Sequence, residues 1–273
     1  MDEKTNALLA RIADALDRLA PVSTRDNIVA AHAFRWTDNV LCAVDPFSPI
    51  QLDLLTGVDA QKDALLENGR RLSAGHGAHD ILLWGARGAG KSALVKSTTA
   101  SLQAGGCDLR LVEAGGDGLQ TLPALFAMLS RDTRPTILFI DDLGFDANGD
   151  AARHLRSLLD GGVTPRPDHV RLYVTSNRRH ILARDMAEQN SAINPRDSVD
   201  DHLALADRFG LSLGFHACSQ DDYLAMVAGY TAHLGVHFDP ADALLWSTQR
   251  GARSGRVAWH YATELAGRAG KKL

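Results

Sequence analysis

Ile81-Leu82-Leu83-Trp84-Gly85-Ala86-Arg87-Gly88-Ala89-Gly90-Lys91-Ser92 is the stretch on which the reading of the whole chain depends. A short apolar run breaks into a loop with three glycines, and the loop closes on Lys91-Ser92 at the head of an Ala/Leu/Val-rich segment. This is a complete G-x-x-x-x-G-K-[ST] match in a strand–loop–helix setting. Glycines let such a backbone turn its N–H groups inward, and the helix that follows adds partial positive charge at its N-terminus. The pattern predicts a nucleoside triphosphate site formed by Gly85, Ala86, Arg87, Gly88, Ala89, Gly90, Lys91, Ser92 and Ala93. Lys91 is expected on the β- and γ-phosphates, and the Ser92 hydroxyl on magnesium.

Downstream, strand and helix patterns alternate. Strands are expected at 80–84, 108–113, 136–140, 169–175 and 211–217, with helices near 91–104, 121–131, 150–160 and 199–207. That order implies an α/β fold with a five-stranded parallel sheet covered on both faces. Ligands bind such sheets beyond the carboxyl ends of the strands, and polar residues collect there. Thr136-Ile-Leu-Phe-Ile140 runs into Asp141-Asp142, where Asp141 can hold magnesium and Asp142 can polarise a water. The next strand ends in Thr175-Ser176-Asn177, and an amide there can bond both a γ-phosphate and the attacking water. Arg208, just before the last strand, either pairs with Asp207 at the surface or points toward the nucleotide of a neighbouring copy.

Upstream of the loop, Asp59 can cap a helix to about Ser73, and Leu55 and Val58 in the preceding turn are candidates either to line a base or simply to pack in the core. Leu8, Leu9, Ile12, Leu16 and Leu19 share one face of a helix over 3–19 that Pro21 ends. A second short helical stretch near Asn27–Ala33 leads to Phe34-Arg35-Trp36. After residue 217 strand signals cease. Ser219, Asp239-Pro240 and Ser254 each open a helix, which predicts a small helical domain. The expected parts are an N-terminal helical extension over 1–50, a nucleotide-binding core over 51–217 and the helical domain over 218–273. Arg256 stands at a helix start, where the dipole disfavours a cation unless it meets an anion.

Composition narrows the class. The chain has 273 residues, 45% of them hydrophobic, and a formal net charge of −4, so no overall basicity argues for nucleic acid. Cys42, Cys107 and Cys218 lie far apart without metal-binding spacing, which fits a reducing compartment. No apolar run approaches the roughly 18 residues of a membrane span, and Met1-Asp2-Glu3-Lys4 begins no signal peptide, so a cytoplasmic protein is expected. From Asp185 to Asp207 six acids face the single Arg196, whereas Arg250 to Leu273 carries six basic residues against the single Glu264.

The order of a phosphate-loop core followed by a small helical domain resembles the AAA+ ATPases. Leu82-Leu83-Trp84-Gly85-Ala86-Arg87-Gly88 with Gly90-Lys91-Ser92, Asp141-Asp142-Leu143, Thr175-Ser176-Asn177-Arg178-Arg179-His180 and Asp207-Arg208-Phe209-Gly210-Leu211 resemble the bacterial AAA+ family termed domain of unknown function 815. Gly57-Val58-Asp59-Ala60-Gln61 and Ser254-Gly255-Arg256 extend the similarity. The resemblance implies that Lys91 and Ser92 are the Walker A pair and Asp141 and Asp142 the Walker B pair. It implies further that Asn177 is the first sensor, Arg208 an arginine finger acting on a neighbouring subunit, and Arg256 the second sensor in a helical lid. These enzymes usually carry Glu where this chain has Asp142, one methylene shorter, which argues for slow hydrolysis rather than against binding.

An ATPase using ATP and magnesium at a subunit boundary is the resulting expectation, in a homo-oligomeric ring that the superfamily suggests is a hexamer. Its output stays open among three classes. One is the remodelling of a protein client, although Ala114-Gly115-Gly116-Asp117-Gly118-Leu119 lacks the aromatic residue of threading motors. Another is a DNA-associated helper like a helicase loader or transposition ATPase, less favoured on net charge but with a basic C-terminal end. The third is a slow ATP-dependent switch or scaffold.

Overall fold

The computed structural model describes residues 31–143, 165–177 and 207–271, together with Thr5, Leu155 and Leu159. Continuous apolar runs build its sheet. Thr136–Ile140 (β5) is buried at every position, and Ile81–Gly85 (β3), Arg110–Ala114 (β4) and Val170–Ser176 (β6) are nearly so. Strands of this kind need cover on both faces. Their alternation feeds two cores: Leu82, Leu138 and Ile140 point into one, Ile81, Leu83, Ile137 and Phe139 into the other. Helices Asp59–Ser73 (α1) and Lys91–Ala104 (α2) cover the second face. Leu122–Leu129 (α3) covers the first, where the helical residue Leu155 is also buried.

Among the described residues the sheet has seven strands, not the five expected. Ala33–Thr37 (β1) and Val40–Ala43 (β2) form an antiparallel hairpin, β1 pairs in parallel with β4, and Leu211–Phe215 (β7) closes the far edge. The order is β2-β1-β4-β5-β6-β3-β7. The hairpin turns at Asp38-Asn39, whose φ values of 51° and 61° are the left-handed pair a two-residue turn requires. Phe34 and Trp36 are buried while Arg35 and Thr37 are exposed, a period-two pattern too short to stand out in sequence. The sheet layer therefore begins at residue 33, inside the stretch expected to be a helical extension to residue 50. Apart from Thr5 and Asp207, the expected helices over 3–19 and 199–207 lie outside the described residues, as do most of those near 27–33 and 150–160.

Beyond β7, helices Gln220–Leu234 (α4), Pro240–Gln249 (α5) and Gly255–Arg268 (α6) pack around Tyr223, Val227, Ala258 and Ala262. They open at the three predicted caps, Ser219, Asp239 and Ser254. At the first, the Ser219 hydroxyl accepts from the Asp222 N–H (3.1 Å) and the Asp222 carboxylate accepts from the Ser219 N–H (3.2 Å), a capping box to which the hydroxyl adds a bond of its own to that carboxylate (2.6 Å). Ser219→Ala is expected to cost about 1 kcal/mol in urea unfolding. Hydrogen bonds from the Ser219 hydroxyl, then from its N–H, hold the Asp222 carboxyl below its ordinary 3.8. A depressed carboxyl stabilises the fold above its unfolded pKa and stops doing so as pH falls through the folded one. That acid-side loss should be absent from Asp222→Asn. Among the described residues, no helix is long and apolar enough to cross a membrane.

Candidate functional site

β3 leaves the sheet at Gly85, where φ is 129° and an added Cβ would collide with the Phe215 carbonyl oxygen of β7. Only glycine fits that approach. Gly88 and Gly90 also take positive φ, 78° and 89°, and Gly90 is the residue from which α2 starts. The loop thus curls over the head of α2 and sets Lys91 beneath itself, 5% exposed. The Lys91 ammonium donates to the carbonyls of Gly85 (3.0 Å) and Ala86 (2.9 Å) and to Oδ1 of Asn177 (3.0 Å). Burial pushes its pKa below the ordinary 10.5, Asp142 and Asp141 oppose that shift, and Arg256 adds to it.

The apolar run of β5 delivers Asp141 and Asp142 to the same end of the sheet. β6 lies between β3 and β5, paired with both, so the glycine loop and the acids do not sit on adjacent strands. The interposed strand brings Asn177 between the cation and the acids. Its amide nitrogen donates to Oδ1 of Asp142 while its oxygen accepts from Lys91. Asp141 Oδ1 accepts from the hydroxyls of Ser92 (2.5 Å) and Thr175 (2.6 Å). Asp142 has a φ of 52°, and its N–H donates to the Thr175 hydroxyl (2.8 Å).

These groups line a cavity of about 780 Å³, within the size range of small-molecule sites. Arg87, Gly88, Gly90, Lys91, Ser92 and Ala93 form its floor, with Asp141, Asp142, Thr175 and Asn177 at one side. The connector from Ser48 to Leu55 forms one wall, and Tyr230, His233, Arg256 and Trp259 of the helical bundle form the other. Leu55 lies on that wall. Val58 does not: it directly precedes α1, packs toward the core beside the sheet, and lines a separate cavity of about 100 Å³ with Ala86 and Ala89. Ile50 and Leu54 take its place in the wall, and the Ser97 hydroxyl of α2 holds the Ile50 carbonyl at 2.6 Å. Gly85 and Ala86 serve through their carbonyls rather than by lining the main cavity. Arg208 is exposed on the turn before β7 and is not among the lining residues.

Sequence reasoning passed over Thr175, Tyr230, Lys96, His233 and the part played by Trp259. For Trp259 a signal existed, since it lies three residues after Arg256 and so shares its helix face. Tyr230 meets it edge-on, ring centroids 5.2 Å apart. Ser92 and Asp141 offer the hard oxygen donors that magnesium takes. Among the described residues there is no group of three His, Cys, Asp or Glu that could hold a metal ion.

Residues 29–269 match a family model described as "Protein of unknown function (DUF815)". Among solved structures, the chain is similar to the RuvB Holliday junction branch migration motor of Thermotoga maritima. The identity is 17%, 80% of this chain and 64% of that chain are covered, and the TM-score is 0.50. Two single-residue variants of that motor give 20% identity over the same shares of each chain, with TM-scores of 0.53 and 0.52. The chain thus spans 64% of the motor's length, and at such identities the likeness bears on the fold alone. No curated protein matches the chain. Matched over most of its length, the chain belongs to the DUF815 family, and it shares its fold with the matched part of the RuvB motor.

Proposed function

We propose that the protein binds ATP with magnesium in the cavity between sheet and helical bundle and hydrolyses it at a boundary between two copies, remodelling a client protein. The observation that carries this is the hydrogen-bonded chain Lys91–Asn177–Asp142 opening on one cavity. Ile50, Leu54, Leu55 and Trp259 give the base an apolar wall. Lys91 and Arg256 provide positive charge for the polyphosphate, which offsets the cost of keeping the Lys91 ammonium buried. Ser92 and Asp141 would hold magnesium, which neutralises charge on the phosphates.

Asn177 has two duties. While its amide is engaged by Asp142 and Lys91, neither of them is directed at substrate. A γ-phosphate recruits Lys91 and Asn177, and Asp142 is then released to orient a water. Arg208 stands away from its own cavity and acts on the site of a neighbouring copy, in a homo-oligomeric ring. The bundle that carries Arg256 is the lid that moves when phosphate leaves. A slow ATP-dependent switch is the second reading, favoured by the short side chain of Asp142 and its engagement by Asn177.

The test is phosphate release per subunit across protein concentrations, beside binding of a fluorescent ATP analogue. Turnover should climb as oligomers form. Arg208→Ala should keep nucleotide affinity and lose about a thousandfold in turnover. Mixing it with Lys91→Met should restore part of that loss, because the second variant lends its Arg208 to the first one's intact site. Failure of the wild-type protein to bind the analogue refutes the proposal. Concentration-independent turnover by a monomer removes Arg208 from it.

A further inference from the structure

The residue that organises the acidic end of the site is on β6, not on β5. Thr175 is 1% exposed and makes three hydrogen bonds to three successive residues. Its hydroxyl donates to Asp141 Oδ1 (2.6 Å) and accepts from the Asp142 N–H (2.8 Å), while its carbonyl accepts from the Leu143 N–H (2.9 Å). Between them Asp142 holds a φ of 52°, a left-handed conformation that costs a residue with a side chain free energy unless its surroundings stabilise it. A threonine in a parallel strand needs no such explanation for its methyl group, which valine would match. Its hydroxyl is another matter, because both its donor and its acceptor capacity are used on the acids.

We infer that Thr175 is a positioning residue that assigns the two acids separate tasks, an inference resting on the proposed ATPase reading. Its O–H and that of Ser92 converge on one oxygen of Asp141, which leaves Oδ2 of that carboxylate for a metal's water shell. Its grip on the Asp142 N–H fixes the left-handed turn that directs the second carboxylate to Asn177 and away from the first. Without the hydroxyl, the turn is free to relax and the two carboxylates lose their fixed separation. Thr175 borders the cavity but is 1% exposed, with its hydroxyl engaged by Asp141 and Asp142, so it acts through them.

The measurements are analogue binding with and without magnesium, steady-state kcat and KM for ATP, and the melting temperature, on wild type, Thr175→Val and Thr175→Ser. Partners that orient the ligands of a metal contribute about 10- to 100-fold. Thr175→Val should therefore lose that factor in kcat and in the tightening of nucleotide affinity by magnesium. Affinity without magnesium should stay within about twofold of wild type, since the glycine loop and Lys91 are untouched, and Thr175→Ser should recover most of both losses. If Thr175→Val does not fold, Thr175→Cys, similar in size and weaker in hydrogen bonding, carries the same comparison. A valine variant with wild-type kcat and magnesium response overturns the inference, as does a serine variant as damaged as the valine one. Absence of nucleotide binding by wild type is a distinct result: it removes the ATPase reading, and the role of Thr175 with it.

Discussion

Lys91→Met is expected to lower phosphate release by about two to three orders of magnitude, the usual effect of removing one preorganised charge from a phosphoryl-transfer site. The fold should survive. Lys91 is buried, and removing an ammonium that burial disfavours offsets the loss of its bonds to Gly85, Ala86 and Asn177. The variant should melt close to wild type without ligand, but fail to gain the roughly 2.7 kcal/mol that ATP at a hundredfold excess over Kd confers on a binding protein. The pH dependence provides a separate check. The folded pKa of Lys91 lies below its ordinary 10.5, so between those two values the unfolded chain binds more protons and stability rises with pH. Lys91→Met should lack that rise. A variant that hydrolyses ATP at the wild-type rate would remove Lys91 from the chemistry.

Gly85→Ala should instead act on the fold, destabilising it by at least about 3 kcal/mol in urea unfolding. Two effects add at that position: a φ of 129° that side chains avoid, and a Cβ driven into the Phe215 carbonyl of the neighbouring strand. Relief requires β7 to part from β3, which loosens the pairing from Ile81 to Gly85 that seats the loop. Gly90→Ala is the internal comparison. Its φ of 89° is also unfavourable, but nothing lies within 4 Å of the added atom, so about 1–2 kcal/mol of backbone strain is all it should show. Equal effects from the two substitutions would mean that the close approach of β7 is not what requires glycine at residue 85.

The glycine loop and the three bundle caps were readable because each is a local pattern with one physical cause. β5 was readable for the same reason, its buried run being unbroken. The β1–β2 hairpin escaped because four or five residues of alternation carry little signal, and Asp38-Asn39 is a less common turn pair than Asn-Gly. Strand order is not written in any local pattern, so the place of β6 between loop and acids, and with it the bridging position of Asn177, emerged only from the pairing. Val58 and Ile50 were exchangeable on hydrophobicity alone. Ile50 is the one that lines the cavity, and its carbonyl is held by the hydroxyl of Ser97, 47 residues away along the chain, a contact that no local pattern reveals.

Gly88 faces the bundle rather than the sheet: a Cβ there would come within 3.0 Å of the Ser254 hydroxyl and 3.6 Å of the Arg256 Cβ. The middle of the phosphate loop is therefore the bearing surface on which α6 rests. A side chain as small as a methyl group at residue 88 would press directly on the cap and first turn of α6, so Gly88→Ala should show whether loop and bundle are mechanically joined there.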